Sequence, residues 1–141
     1  YFLTDTITVM IEHGAKVRTN EISTWLDTGT IEATLDTNKV LLEKIGSQVG
    51  KFKGSNVEIV EPVAIHESAE ISNSKIGPYA SIGANCKIEN SQIAESIIEA
   101  NCEIKDAALN RSLIGRQATV KGRSDGHVMK LNISDTSSVV L

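Results

Sequence analysis

The chain has 141 residues, of which 40% are hydrophobic and 4% aromatic, and its formal net charge is −4. No apolar run approaches the roughly 20 residues that a membrane-spanning helix needs. So few aromatic residues, together with a negative charge, argue against nucleic-acid binding, and we expect neither a membrane nor a nucleic-acid partner.

The first 45 residues predict a small α/β segment. Thr4 and Asp5 suit the start of a helix, and Gly14 predicts its end. The apolar stripe of this helix is Ile7, Met10 and Ile11. Residues 15–22 alternate well enough to predict one strand, and a second helix follows with apolar positions Ile31, Leu35, Leu41 and Leu42. About 45 residues lie at the edge of independent stability, so we interpret the segment as the remnant of a larger domain.

After residues 46–56, which are rich in Gly, Ser and Lys and predict a linker, three aliphatic columns recur every 16 or 17 positions. The first column is Ile59, Ile76, Ile93 and Leu109; the second is Ile65, Ile82, Ile98 and Ile114; the third is Ile71, Ile88, Ile104 and Val120. A fixed short period of this kind is typical of a stacked solenoid, and a helix of period 3.6 cannot keep one face over it. We expect about four triangular coils over residues 57–122 and a capping segment that extends to residue 141.

Small residues stand two positions before nearly every column member, and polar residues mark the corners. The corner columns are Asn73, Asn90, Asp106 and Gly122, and Ser68, Asn85, Asn101 and Gln117. These residue types turn a chain tightly. Cys86 and Cys102 stand one coil apart in one inward column, which predicts core thiols, and two reduced cysteines suit a cytoplasmic protein.

The segment of residues 76–88, IGPYASIGANCKI, resembles the hexapeptide repeat of left-handed parallel β-helix proteins. The left hand is implied by this resemblance alone, since the general crossover rule would predict the right hand. The expected fold class is therefore mainly β, a left-handed parallel β-helix preceded by a small α/β remnant.

A second motif lies upstream of the repeats. Residues 25–30, WLDTGT, preceded by YFLTD at residues 1–5 and a helix, resemble the end of the catalytic domain of sugar-1-phosphate nucleotidyltransferases, in particular glucose-1-phosphate thymidylyltransferases. In that family a left-handed β-helix often follows the catalytic domain. The resemblance implies an enzyme that joins a nucleoside triphosphate and a sugar 1-phosphate to give an NDP-sugar and pyrophosphate.

The Gly-rich loop that holds the nucleotide in that family has no counterpart in these 141 residues. We therefore expect a C-terminal fragment that lacks its N-terminal catalytic domain, has no catalytic residue of its own and is inactive alone. The resemblance implies that Asp27 binds Mg²⁺ in the parent enzyme, with no cofactor expected on the fragment; the alternative is that Asp27 only caps the loop before the second helix. Trp25 is expected to pack under the sugar site, and Thr30 to cap the helix.

Other features leave alternatives open. Many hexapeptide-repeat proteins are acyltransferases that use a histidine as general base with an acyl-coenzyme A donor, so His66 or His127 would serve an acetyl transfer to an amino sugar in a bifunctional enzyme. His66 is instead expected in a solvated turn, and a regulatory effector site is a third option. The basic residues near the last coil either gather to meet an anion or are solvated or paired; they are Arg111, Arg116, Lys121 and Arg123.

The flat faces of such a prism predict assembly. Identical chains associate by default in closed cyclic symmetry. We expect a homo-oligomer, a trimer or a dimer, formed through the β-helix.

Overall fold

The computed structural model of the protein describes residues 2–123 and 126–141. The helices are α1 (Leu3–Glu12) and α2 (Ile31–Ile45). The strands are β1 (Gln48–Val49), β2 (Lys53–Ile59), β3 (Val63–Ile65), β4 (Glu70–Ile76), β5 (Ala80–Ile82), β6 (Lys87–Glu89), β7 (Gln92–Ala94), β8 (Ile97–Ile98), β9 (Glu103–Lys105), β10 (Ala108–Asn110), β11 (Leu113–Ile114), β12 (Thr119–Lys121), β13 (Val128–Met129), β14 (Asn132–Ile133) and β15 (Ser138–Val140). Within these described residues, neither helix has the length and hydropathy needed to cross a membrane.

The strands form a parallel β-solenoid with three faces and about five turns. Face 1 contains β1, β3, β5, β8, β11 and β14 in that order. A second pairing path runs β13-β10-β7-β4-β6-β9-β12-β15, with β2 beside β4. Because β2 and β4 bend at Asn56 and Asn73, whose φ angles are 55° and 46°, this path covers two faces. Face 2 contains the first halves of β2 and β4 together with β6, β9, β12 and β15. Face 3 contains the second halves of β2 and β4 together with β7, β10 and β13.

The three predicted columns point into the core. All their members except Ile59, which is partly buried, are at most 3% exposed. The strand register places equivalent residues directly over one another, so that Ile88 pairs with Ile71 below and Ile104 above. The small residues before the columns are buried as well, including Cys86 and Cys102. The expected mainly β fold class, a parallel β-helix preceded by a small remnant, is confirmed; within the described residues the remnant contains two helices and no strand.

Buried serines support the corners between faces 3 and 1 and between faces 2 and 3. Ser91 is 2% exposed; its Oγ donates to Glu89 O at 2.6 Å and accepts the Ala107 N–H from the next turn at 3.2 Å. Ser96 Oγ accepts the Ser112 N–H in the same way at 3.0 Å. These hydroxyls satisfy backbone amides that would otherwise be buried without an acceptor.

Six of the eight residues in the two polar corner columns adopt the left-handed backbone conformation. The positive φ angles belong to Asn73, Asn90 and Asp106 in one column and to Asn85, Asn101 and Gln117 in the other. Asn side chains also bond from turn to turn, as from Asn73 Nδ2 to Asn90 Oδ1 at 3.3 Å. The third corner, between faces 3 and 1, has the same conformation at Tyr79, Glu95 and Arg111. Sequence reasoning missed it because these are not turn-forming residue types.

The structure differs from three local predictions. Residues 46–56 are not only a linker, since β1 and the start of β2 lie there and pair with β3 and β4 as the first turn. The capping segment is a further turn, in which Met129, Ile133 and Val139 extend the three columns. Residues 15–22 form no strand, because no described strand lies beside them to complete a ladder, and a lone strand is not stable.

Candidate functional site

The loop before α2 is held in one conformation by its own hydrogen bonds. Asp27 is exposed, and its Oδ1 accepts the Gly29 N–H at 2.9 Å. A Cβ at position 29 would stand 3.2 Å from that same oxygen, so glycine there leaves room for the carboxylate. Thr30 caps the helix as expected, since its Oγ1 accepts the Ala33 N–H at 3.1 Å.

Helix α2 holds the backbone of this loop from one flank. Thr37 Oγ1 donates to Asp27 O at 2.8 Å. Thr34 Oγ1 lies 2.9 Å from Thr30 O and 3.3 Å from Thr28 O. Thr34 and Thr37 are three positions apart and therefore share one side of the helix. The position of the Asp27 loop consequently depends on the position of α2.

The fit of this loop to a divalent cation is partial. A carboxylate is the ligand type that Mg²⁺ prefers. Residues 2–123 and 126–141 contain no group of three or more His, Cys, Asp or Glu side chains placed to hold a metal ion. Asp27 therefore offers one ligand, and a complete set needs oxygen atoms from a substrate or from another part of a longer protein.

Trp25 and helix α1 are exposed in the described part of the chain, and the packing of Trp25 under a sugar site stays a prediction. The Trp25 side chain is 80% exposed, and the helix α1 buries none of its residues. The predicted stripe is also exposed: Ile7, Met10 and Ile11 are 38%, 50% and 52% accessible. Helix α1 and Trp25 therefore present apolar side chains at the surface of the part of the chain that the structure describes.

The other side of α2 packs on the solenoid. Leu35 and Leu42 are buried at 4% and 6% exposure, whereas the predicted apolar positions Ile31 and Leu41 are each 40% exposed. Ser81 Oγ, on face 1, donates to Asn38 Oδ1 at 2.6 Å. The helix thus lies along face 1, next to the third corner.

A cluster of charges joins α2 to that corner. Arg111 Nη2 donates to Glu32 Oε2 at 2.7 Å and to Asp36 Oδ1 at 3.1 Å, and Nη1 donates to Glu95 Oε2 at 3.5 Å. Lys130 Nζ bonds to the other Glu32 oxygen. The hydrogen bonds from Lys130 and then from Arg111 lower the pKa of Glu32, and those to Glu32 and Asp36 raise the pKa of Arg111.

A second contact lies farther along the helix. Tyr79 Oη donates to Glu43 Oε1 at 2.9 Å, which raises the pKa of Tyr79. Lys39 Nζ stands 4.5 Å from the centre of the Tyr79 ring, within the range of a cation–π contact. Two residues of the third corner, Tyr79 and Arg111, therefore bind α2.

Comparison with known proteins places this chain in a family. The family described as "GMPPB C-terminal domain" matches residues 59–133, which is more than half of the chain. The chain belongs to this family. A glucose-1-phosphate thymidylyltransferase of Streptomyces antibioticus is 31% identical over 114 residues, covering 68% of this chain and 32% of that protein. A glucose-1-phosphate thymidylyltransferase of Streptomyces griseus is 27% identical with the same coverage. The chain spans about a third of the length of these curated relatives.

In this family member His66 lies in an exposed turn, as expected. Its Nδ1 accepts the Ser68 N–H at 3.2 Å and lies 2.8 Å from Ser68 Oγ. Ser68 Oγ itself accepts the Asn85 N–H at 2.9 Å. These contacts hold the Nδ1 side of the ring within its own turn. The geometry gives no support to a general-base role.

Two of the basic residues of the last turns are held in ion pairs within the chain. Arg111 binds the carboxylates of α2, and Arg116 Nε pairs with Glu99 Oε2 at 3.4 Å. On face 2, Lys105 Nζ lies 2.8 Å from Glu89 Oε2, a contact that raises the pKa of Lys105. Of the alternatives left open for these residues, pairing is the one that the structure shows for both arginines, because carboxylates of the same chain bind them.

Proposed function

We propose that this chain is part of a longer cytoplasmic sugar-1-phosphate nucleotidyltransferase. That enzyme would join a nucleoside triphosphate and a sugar 1-phosphate to give an NDP-sugar and pyrophosphate. The observation that carries the proposal is the similarity over 68% of the chain to proteins named glucose-1-phosphate thymidylyltransferases. The 141 residues alone are expected to show no nucleotidyl transfer, because this chemistry depends on positioning and on neutralising phosphate charge.

Within the longer enzyme, Asp27 is proposed to be one ligand of Mg²⁺. The bound cation supplies neutralisation of the charge on the reacting phosphates. The proposal is supported by an exposed carboxylate on a loop that is already ordered through Gly29 and Thr37. The chain's own contribution is to hold that carboxylate in place before the cation binds.

The test is Asp27→Asn in the longer enzyme, with turnover measured across a range of Mg²⁺ concentrations. Turnover is expected to fall strongly while the oligomeric state stays the same, because the loop and the solenoid are separate parts of the chain. Asp106→Asn is the matched control, since Asp106 is a solenoid corner that accepts from Asn90 Nδ2 at 3.0 Å. Unchanged turnover in the Asp27 variant would remove the metal role.

A separate assay of acetyl-coenzyme A consumption tests acetyl transfer. The 141-residue chain is expected not to consume acetyl-coenzyme A in the presence of an amino sugar phosphate. Consumption that disappears in His66→Ala would replace the present proposal with the bifunctional one.

The solenoid is proposed to serve assembly as a homo-oligomer, a trimer or a dimer. In the last described turn Val128 and Val140 are 58% and 74% exposed. Strands at the end of a stack also offer backbone groups that can pair with another chain. Light scattering at micromolar concentration is expected to give a molar mass that is a multiple of 15.2 kDa. The substitution Val140→Lys is expected to lower this molar mass. A wild-type monomer at high concentration would contradict the assembly role.

A further inference from the structure

Helix α2 forms hydrogen bonds to two different parts of the chain. One flank carries Glu32 and Asp36, both of which bind Arg111 on the third corner of the solenoid. Another flank carries Thr34 and Thr37, which bind the backbone of the Asp27 loop. The helix is therefore the physical connection between the solenoid and the loop.

The two sets of bonds lie on the same part of the helix. Glu32 and Asp36 occupy its first two turns, and Thr34 and Thr37 occupy those same turns. The buried side chain of Leu35, at 4% exposure, lies between them in sequence, and Asn38, three positions farther on, accepts from Ser81 Oγ of face 1. Since a helix of 15 residues moves as a rigid unit over two turns, a shift of this end relative to the corner also shifts the loop.

Arg111 is suited to hold the helix in one orientation. Its planar guanidinium group binds two carboxylates of α2 through Nη2 and a third, on Glu95 of the solenoid, through Nη1. Such a fork fixes direction as well as distance, which the single charge of a lysine does not. Arg111 is also anchored in a corner whose φ of 49° is set by the solenoid stack.

We propose that Arg111 is a positioning residue for the Asp27 loop, acting through α2. In this arrangement the solenoid does more than assemble subunits: it sets where the proposed metal-binding carboxylate stands. The metal-binding role of the Asp27 loop rests on the proposed function. The mechanical coupling between Arg111 and the loop does not depend on it.

The first experiment measures this coupling without any activity. Amide hydrogen exchange and amide chemical shifts of Gly29 and Ala33, followed by NMR in the 141-residue chain, report the loop and the helix start. Arg111→Gln is expected to shift both amides and speed their exchange, while the core amide of Ile88 keeps its protection. Arg116→Gln is the matched control, because Arg116 pairs with Glu99 on the solenoid and has no role in the coupling.

A second variant approaches the same contact from the helix. The double substitution Glu32→Gln and Asp36→Asn keeps the solenoid sequence intact, so it remains informative even if Arg111→Gln perturbs the corner. It is expected to produce the same changes at Gly29 as Arg111→Gln. If Gly29 behaves in both variants as it does in Arg116→Gln, the loop is positioned without Arg111 and the inference is overturned.

The longer enzyme supplies the functional readout. Arg111→Gln is expected to raise the Mg²⁺ concentration for half-maximal turnover about tenfold, the lower end of the effect of groups that orient a metal ligand. Arg116→Gln should leave it unchanged. A longer enzyme with no nucleotidyl transfer at all would remove the proposed function and leave the Gly29 result to decide the coupling. Active Arg111→Gln enzyme with an unchanged Mg²⁺ dependence would remove the positioning role.

Discussion

The aliphatic ladder makes a quantitative prediction at Ile88. This side chain is 1% exposed and pairs in register with Ile71 and Ile104 in the neighbouring turns. Truncation to alanine removes three carbon atoms from a position where the stack above and below is fixed by strand pairing. Such substitutions cost about 2–5 kcal/mol when the cavity cannot collapse, and we expect a value near the middle of this range, about 3 kcal/mol.

A series of substitutions at position 88 measures how the free energy of unfolding depends on the volume and charge of the buried side chain. Ile88→Val is expected to lower the free energy of unfolding by about 1 kcal/mol. Ile88→Asp is expected to prevent stable folding, because it places an unpaired charge between two buried isoleucines and a whole domain has only about 5–15 kcal/mol of stability. Lys87→Ala is the matched control at the adjacent, outward position, where the side chain is 64% exposed.

The assay is urea denaturation followed by far-ultraviolet circular dichroism, with the midpoint and slope measured for each variant. The expected order of stability is Lys87→Ala close to wild type, then Ile88→Val, then Ile88→Ala, with Ile88→Asp unfolded. If Ile88→Ala and Lys87→Ala unfold at the same urea concentration, the inward ladder is not what stabilises the stack.

Three further predictions concern other parts of the molecule. Ser91→Ala is expected to lower the free energy of unfolding by about 1–3 kcal/mol, because the buried Ala107 N–H loses its acceptor; a change below about 0.5 kcal/mol would contradict this. Cys86 and Cys102 are expected to react with a thiol reagent only on unfolding, since both are fully buried; rapid labelling of the native chain would refute their core position. Cationic partners hold the pKa of Glu32 below the ordinary value of about 4.3, so its contribution to docking α2 is present above that pH and is lost as pH falls through the lower, folded-state pKa. Carbon-13 NMR titration of this carboxyl group is expected to show a midpoint below about 4.3.

The core of the solenoid was predictable because its physics is local and periodic. One aliphatic and one small residue per side, repeated every 16 or 17 positions, leave only an in-register stack as a way to bury them all. The last turn was not predicted from the sequence because the spacing of the repeat changes there. Leu109 pairs with Met129, and Val120 pairs with Val139. These partners lie 20 and 19 positions apart, so a fixed period does not reach them.

The region around the candidate site also contains features that the sequence predicts and a feature that it does not. The capping role of Thr30 and the turn made by Asp27 and Gly29 depend on neighbours within three positions, which a sequence pattern shows directly. The strand expected at residues 15–22 failed because a strand depends on a partner elsewhere in the chain.

By itself the sequence determined the ladder, two of the three corners, the helix boundaries near Thr30 and the resemblance that led to the family. Only the tertiary structure decided what Arg111 does. Its partners Glu32 and Asp36 lie 79 and 75 positions earlier in the chain, and no periodicity connects them. The helix lies beside this corner, where Ser81 bonds to Asn38 and Tyr79 to Glu43. An ion pair between distant residues forms only after the fold has placed the charges together.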